Sequence, residues 1–151
     1  MLRVEVFSED VKLPRRGITK KRARTIAAAA AGLLGLESAV ITVIMTSDDY
    51  IRGINREYRG RNEPTDVVSF SNRDNPFPLA EMPDEEIGDI YISVDRIIAQ
   101  AAEYGVTPPE ELKRLIIHGV LHLVGYDHER SDADEEAMTR TEEDLFGRID
   151  G

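Results

Sequence analysis

The first residues of the chain alternate between hydrophobic and polar side chains, which is the period of a β-strand. This alternation predicts a strand over residues 2–7. The run A-V-I-T-V-I-M-T at 39–46 is apolar and rich in β-branched residues, and it predicts a buried strand. Shorter apolar segments predict strands at 66–70 and 87–93. The pattern therefore predicts a small sheet of about four strands.

Between and after these strands, apolar residues recur at helical spacing. About five helices are expected: 19–34 with Thr19 as cap, 47–58 with Ser47 as cap, 95–104, 108–124 with a proline at its start, and 131–146 with Ser131 as cap. Residues 71–86 hold three prolines and many acids, and we expect a long surface excursion there. Strands mixed with helices predict an α+β fold, in which crossovers through helices allow some parallel pairing.

The composition is that of a globular protein with one sizeable core. With 151 residues, 41% hydrophobic and 32% charged, the chain is expected to form a single domain over 1–151. No apolar run is long enough to span a bilayer, and the N-terminus does not resemble a signal peptide. The absence of cysteine excludes disulfides and a thiolate metal site. We expect a monomer that is located in the cytoplasm and has no membrane partner.

The charge distribution qualifies the net charge of −10, which by itself disfavours a nucleic-acid partner. Basic residues form two groups: Lys12, Arg15, Arg16, Lys20, Lys21, Arg22 and Arg24, then Arg52, Arg56, Arg59 and Arg61. Such groups either contact phosphates or form solvated helix faces. Both interpretations stay open at this point.

The strongest chemical signal is a group of histidines. The chain has three, His118, His122 and His128, in the pattern H-x-x-x-H-x-x-G-x-x-H. On a helix the first two lie on one face, and Gly125 lets the chain turn so that the third can approach. This is the ligand spacing of the metzincin proteases. Apolar helices also carry structural histidines, but three at this spacing favour a zincin-like metal site.

The residue after the first histidine separates this chain from the proteases. A metzincin has glutamate there as general base, and this chain has Gly119. Three imidazoles still leave a coordination position open for water or substrate. The motif therefore predicts a metal-dependent hydrolase, with one zinc ion or another divalent transition metal as cofactor.

A second motif, N-R-E-Y-R-G-R-N-E-P-T-D-V-V-S-F, lies at 55–70. Arg59, at the mouth of a loop, could hold a phosphate and offset charge that develops during phosphodiester cleavage. It could equally brace the loop by pairing with Asp66 or Glu63. Asp66 itself is interpreted either as a strand-end cap or as a carboxylate that orients a histidine.

These two motifs and I-G-D-I-Y-I-S at 87–93 resemble, in order and spacing, the YbeY family of rRNA maturation factors. The resemblance covers most of the chain except its N-terminal third and residues 71–86. It implies a compact α+β fold and a metal-dependent endoribonuclease, usually assigned zinc, that is specific for single-stranded RNA. It also implies that His118, His122 and His128 bind the metal and that Arg59 is catalytically important.

The function expected from this resemblance is maturation of the small-subunit (16S) rRNA 3′ end, together with ribosome quality control. The expected partners are single-stranded rRNA and the ribosome or its proteins. Two alternatives stay open: a metalloprotease-like hydrolase, and a non-catalytic ribosome-assembly factor with a structural metal.

Overall fold

The computed structural model describes residues 2–71, 85–126 and 131–150. Its elements, in chain order, are β1 (Leu2–Glu9), α1 (Lys20–Leu33), β2 (Ala39–Thr46), α2 (Asp48–Arg59), β3 (Val67–Ser71), β4 (Glu85–Ser93), α3 (Val94–Tyr104), α4 (Pro108–Leu123) and α5 (Asp132–Arg148). The described part of the chain thus contains four strands and five helices, and the predicted α+β class is confirmed.

The four strands form one mixed sheet in the order β1-β2-β4-β3. β1, β2 and β4 are parallel, whereas β3 is an edge strand antiparallel to β4. The predicted parallel pairing is confirmed, because α1 lies between β1 and β2 in the sequence and provides the crossover that parallel neighbours require.

Strand β2 is apolar except for Thr42 and Thr46, because both of its faces are covered. Ile41 and Val43 belong to the main core, which α1 and α4 complete. Ile44 points to the opposite face and is only 7% exposed. Helix α2 lies on that face, where it buries Ile51 completely.

Side-chain caps begin the helices where the sequence predicted them. The hydroxyl oxygens of Thr19, Ser47 and Ser131 accept hydrogen bonds from the first turns of α1, α2 and α5. Thr107 and Glu110 form a reciprocal capping box at the start of α4, with Pro108 in its first turn. Local sequence therefore determines these helix starts.

Some predicted boundaries were wrong by a few residues. β4 begins at Glu85, inside the predicted excursion, because this segment pairs with the first residues of β2. α3 begins at Val94 because the Ser93 hydroxyl caps it. Residues 72–84 of the predicted excursion lie outside the described residues.

Helix α4 is the most buried helix of the described structure. It contacts α1, α3, α5 and the strands β3 and β4. Leu112, Leu115 and Ile116 are at most 1% exposed, so most of the helix surface is inaccessible to water. None of the described helices has the length and apolarity needed to cross a membrane.

Candidate functional site

The first two histidines of the motif lie side by side near the end of α4. The ring centroids of His118 and His122 are 4.7 Å apart, with an angle of 69° between the ring planes. Both side chains are partly exposed, although the helix around them is buried. The predicted pairing of these two rings on one helix face is confirmed.

A carboxylate from α5 orients the first of these rings. His118 Nδ1 lies 2.7 Å from Glu142 Oε1, and both side chains are about three-quarters buried, with 24% and 23% exposure. In the tautomer that donates from Nδ1, the lone pair is on Nε2, the atom that a metal would bind. The donor chemistry therefore fits a transition metal at the exposed side of this pair.

The sequence alone does not predict a role for Glu142. It lies 24 residues beyond His118 in an acidic helix with six other acidic residues, so no local pattern distinguishes it. Asp66 was the carboxylate considered for this task. The structure instead places its Oδ1 on the backbone N–H of Val67, 2.8 Å away, so the interpretation as a strand-end cap is the one that fits.

The turn after α4 also follows the prediction. Leu123 is the last helical residue, Val124 is the C-cap, and Gly125 has φ of +106°, which glycine adopts at little cost. His128, the predicted third ligand, lies outside the described residues. Within the described ranges, no group of three or more His, Cys, Asp or Glu side chains could hold a metal. The three-ligand site therefore stays a prediction.

The packing of α4 on the sheet explains why position 119 is a glycine. A Cβ atom at this position would lie 2.9 Å from Ile90 Cγ2 and 3.1 Å from Ile90 Cδ1. Position 119 thus faces strand β4, and α4 packs against the sheet too closely for a side chain. A glutamate at 119 would collide with the core, so the general base of the zinc proteases has no room here.

Arg59 is the last residue of α2 and reaches across to the edge of the sheet. Its Nη2 donates to the carbonyl oxygen of Ser69 in β3, at 3.3 Å. The alternative in which Arg59 pairs with Asp66 or Glu63 was wrong, since no such pair is present among the described residues. Gly60 ends the helix in the left-handed conformation, with φ of +69°.

The loop after Arg59 is held by Asn55, a residue for which the sequence pattern predicts no role. Asn55 is 4% exposed, and its Nδ2 donates to the carbonyl oxygen of Glu63 at 3.0 Å. A buried amide with this bond fixes the loop to α2. Arg59 therefore does not have to brace the loop, and its guanidinium remains at the sheet edge.

Acidic and aromatic side chains lie on the α2 side of the sheet. Burial raises the pKa of Asp89, and the nearby charge of Glu86 raises it further. Phe70 lies opposite Asp89 in the register of β3 and β4. Strands β3 and β4 carry no basic residue, so positive charge reaches this part of the sheet from α2.

The fold and the histidine pair together define a class of protein: α+β hydrolases that carry an H-x-x-x-H helix packed against a mixed sheet. A family model described as "Endoribonuclease YbeY" matches residues 3–150. The chain belongs to this family, and it is an endoribonuclease.

The sequences of several curated relatives align with this chain over most of their length. The chain is 41% identical over 146 residues to an Endoribonuclease YbeY of Chloroflexus aurantiacus, covering 93% of this chain and 94% of that protein. A Roseiflexus protein with the same name is 46% identical over 108 residues, or 70% and 68% of the two chains. A Persephonella marina relative is 37% identical over 142 residues, covering 91% and 88%.

The fold also matches a solved structure. The solution structure of a Thermotoga maritima protein aligns with a TM-score of 0.63 and 26% identity, covering 95% of this chain and 86% of that one. Membership of the endoribonuclease family sets aside the metalloprotease and non-catalytic alternatives. RNA is therefore the substrate class.

Proposed function

We propose that this endoribonuclease cleaves single-stranded RNA at a metal bound by His118, His122 and His128, with Arg59 stabilising the charge on the reacting phosphate. The proposed process is maturation of the small-subunit (16S) rRNA 3′ end, together with ribosome quality control. The whole chain, 1–151, acts as a single domain in this proposal, as a monomer in the cytoplasm.

The observation that carries the proposal is the contact between His118 and Glu142. A hydrogen bond of 2.7 Å from an imidazole to a carboxylate is the usual arrangement behind a metal-binding histidine. It fixes the ring orientation and increases the basicity of the atom that binds the metal. His122 lies one helical turn further, with its ring beside that of His118.

Three imidazoles suit zinc, although other divalent transition metals can bind the same ligands. When bound, zinc would supply Lewis acidity toward a phosphate oxygen or activate water. His118 and His122 would hold the metal, and Glu142 would keep the His118 ring oriented. Gly119 leaves no room for a protease-type base, so another group accepts the proton that the nucleophile, either water or the RNA 2′-OH, gives up.

Arg59 would contribute electrostatic stabilisation. Its guanidinium is held at the sheet edge by only one described hydrogen bond, at 3.3 Å. A planar cation with several remaining N–H donors suits a phosphate whose charge increases during the reaction. The net charge of −10 gives the whole protein little attraction for RNA, and for this reason we propose that the ribosome or a ribosomal protein brings the substrate to it.

Cleavage of a defined single-stranded RNA, with a duplex of the same sequence as control, tests the function. We expect the wild type to cut only the single strand. His118→Ala should lose both cleavage and bound metal. Arg59→Ala should lose cleavage while keeping metal and fold, with exposed Arg140→Ala as the matched control. Equal cleavage by wild type and His118→Ala would contradict the proposal.

The ends of the cleaved RNA distinguish the two routes. A 2′,3′-cyclic phosphate would identify the 2′-OH as the nucleophile, whereas a linear phosphate without a cyclic intermediate would identify water.

A further inference from the structure

Three aromatic rings form a continuous row on the α2 side of the sheet. The ring centroids of Tyr58 and Phe70 are 5.4 Å apart, and those of Phe70 and Tyr91 are 5.8 Å apart, both in edge-to-face geometry. Tyr58 ends the row and is 62% exposed, more than any other large hydrophobic side chain of the described residues. The row thus starts with the partly buried ring of Tyr91 and ends with the open ring of Tyr58.

The strand register explains why these rings meet. Side chains alternate between the two faces of a strand, and Tyr91 stands directly opposite Val68. Phe70, two residues further along β3, shares that face. This is the face away from α4, because Ile90 points toward Gly119. Tyr58 reaches the row from the last turn of α2.

The open ring lies beside the positive charge of α2. Arg59 follows Tyr58 in the sequence, and its guanidinium contacts the carbonyl oxygen of Ser69, the neighbour of Phe70. Arg52, Arg56 and Arg59 lie on one face of α2 at helical spacing. Of these, Arg56 and Arg59 form no ion pair within the described ranges, whereas Arg52 pairs with Asp49.

An exposed aromatic ring beside arginines suits one ligand in particular. A single strand of RNA presents flat bases that stack on aromatic rings and phosphates that pair with arginine. Asp89 lies opposite Phe70, the middle ring of the row, and its carboxylate repels phosphate. The base is therefore directed to the ring of Tyr58 and its phosphate to the arginines.

We propose that Tyr58, supported by Phe70 and Tyr91, is a stacking platform for one unpaired base of the RNA substrate. The proposal rests on the proposed function, and it explains the preference for single strands, because a base held in a duplex cannot leave its neighbours to stack on the ring. Arg59 holds the phosphate next to this base, so the platform positions the strand relative to the histidine site.

The absence of tryptophan from the chain allows a direct test. In Tyr58→Trp the single indole reports stacking by loss of its fluorescence. Tyr104→Trp is the matched control, since Tyr104 is 56% exposed but ends α3. Each variant is titrated with an oligoadenylate of about ten nucleotides and with a ribose-phosphate strand of equal length that lacks bases, and is read before cleavage proceeds.

We expect oligoadenylate to quench Tyr58→Trp, the baseless strand to leave it unchanged, and Tyr104→Trp to respond to neither. The proposal is overturned if Tyr58→Trp does not respond while fluorescence anisotropy shows that the RNA is bound. It is overturned as well if both strands quench equally. A surface that serves a protein partner instead of RNA would give the first of these results.

Cleavage kinetics separate this proposal from the function on which it rests. Tyr58→Leu should raise KM roughly ten-fold with little change in kcat, and Tyr58→Phe should retain the wild-type KM because its ring still stacks. An unchanged KM in Tyr58→Leu overturns the platform while the wild type still cleaves. A wild type that does not cleave single strands overturns the proposed function itself.

Discussion

The chemistry of this protein depends on how single side chains are oriented. His118 has a carboxylate at 2.7 Å on one nitrogen, and His122 lies beside it at 4.7 Å between ring centroids. Gly119 has no space for a side chain because Ile90 lies against it. One face of α4 thus presents the two imidazoles, while position 119, which faces the sheet, has no space for a side chain.

Glu142→Gln is expected to weaken metal binding about 10- to 100-fold, because the amide orients His118 without increasing the basicity of its ring. The dissociation constant, measured by competition with a chelator of known affinity, gives the effect. Glu143→Gln is the control, since Glu143 is the exposed neighbour on α5. Equal affinity in the wild type and Glu142→Gln would show that Glu142 does not support the metal.

The raised pKa of Asp89 predicts that the free energy of unfolding changes with pH. Burial, followed by the charge of Glu86, raises its pKa in the folded protein, so folding favours the protonated form. The stability contributed by this group is therefore fully present below the pKa of an unfolded aspartate, about 3.9, and is lost as the pH rises through the folded value.

Asp89→Asn should accordingly raise the free energy of unfolding at pH 7, and the gain should shrink as the pH falls toward acid. Urea unfolding of both proteins across this range measures the difference. The acid end serves as an internal control, because both side chains are neutral there. A variant less stable than the wild type at pH 7 would contradict this account.

At the scale of elements, the sequence predicted the helices and strands but not the contact that completes the site. Thr19, Ser47 and Ser131 cap helices through bonds to residues three positions away, so local pattern was sufficient for them. Glu142 reaches His118 from another helix, and only the packing of α5 on α4 brings the two together. The spacing of apolar residues within a helix carries no information about a contact between residues 24 positions apart in two different helices.

The close packing of α4 on β4 predicts opposite effects of two glycine substitutions. Gly119→Ala should lower the free energy of unfolding by roughly 1 kcal/mol, since overpacking costs about 1–3 kcal/mol and helix propensity returns up to about 1. Gly53→Ala in α2 should raise it by up to about 1 kcal/mol, because no heavy atom lies within 4 Å of the added Cβ. Urea denaturation measures both. A stabilised Gly119→Ala would contradict the proposed packing.

At the scale of the whole molecule, the sheet divides the protein into two working sides. The histidine pair lies on α4 on one side, and the row of Tyr58, Phe70 and Tyr91 lies on the other, with Arg59 at the β3 edge. A strand of RNA that follows this edge would meet the ring, the guanidinium and the imidazoles in turn. The net charge of −10 belongs to the whole chain, whereas the arginines lie together on α2. For this reason composition alone disfavoured an RNA substrate.

The most direct test of the metal-dependent mechanism is a zinc titration of metal-free protein in which bound zinc and cleavage of a single-stranded RNA are measured together. We predict that cleavage is absent without metal, rises in proportion to bound zinc and saturates at one ion per chain. Full cleavage by the metal-free protein, or saturation of zinc binding without any cleavage, would contradict the mechanism.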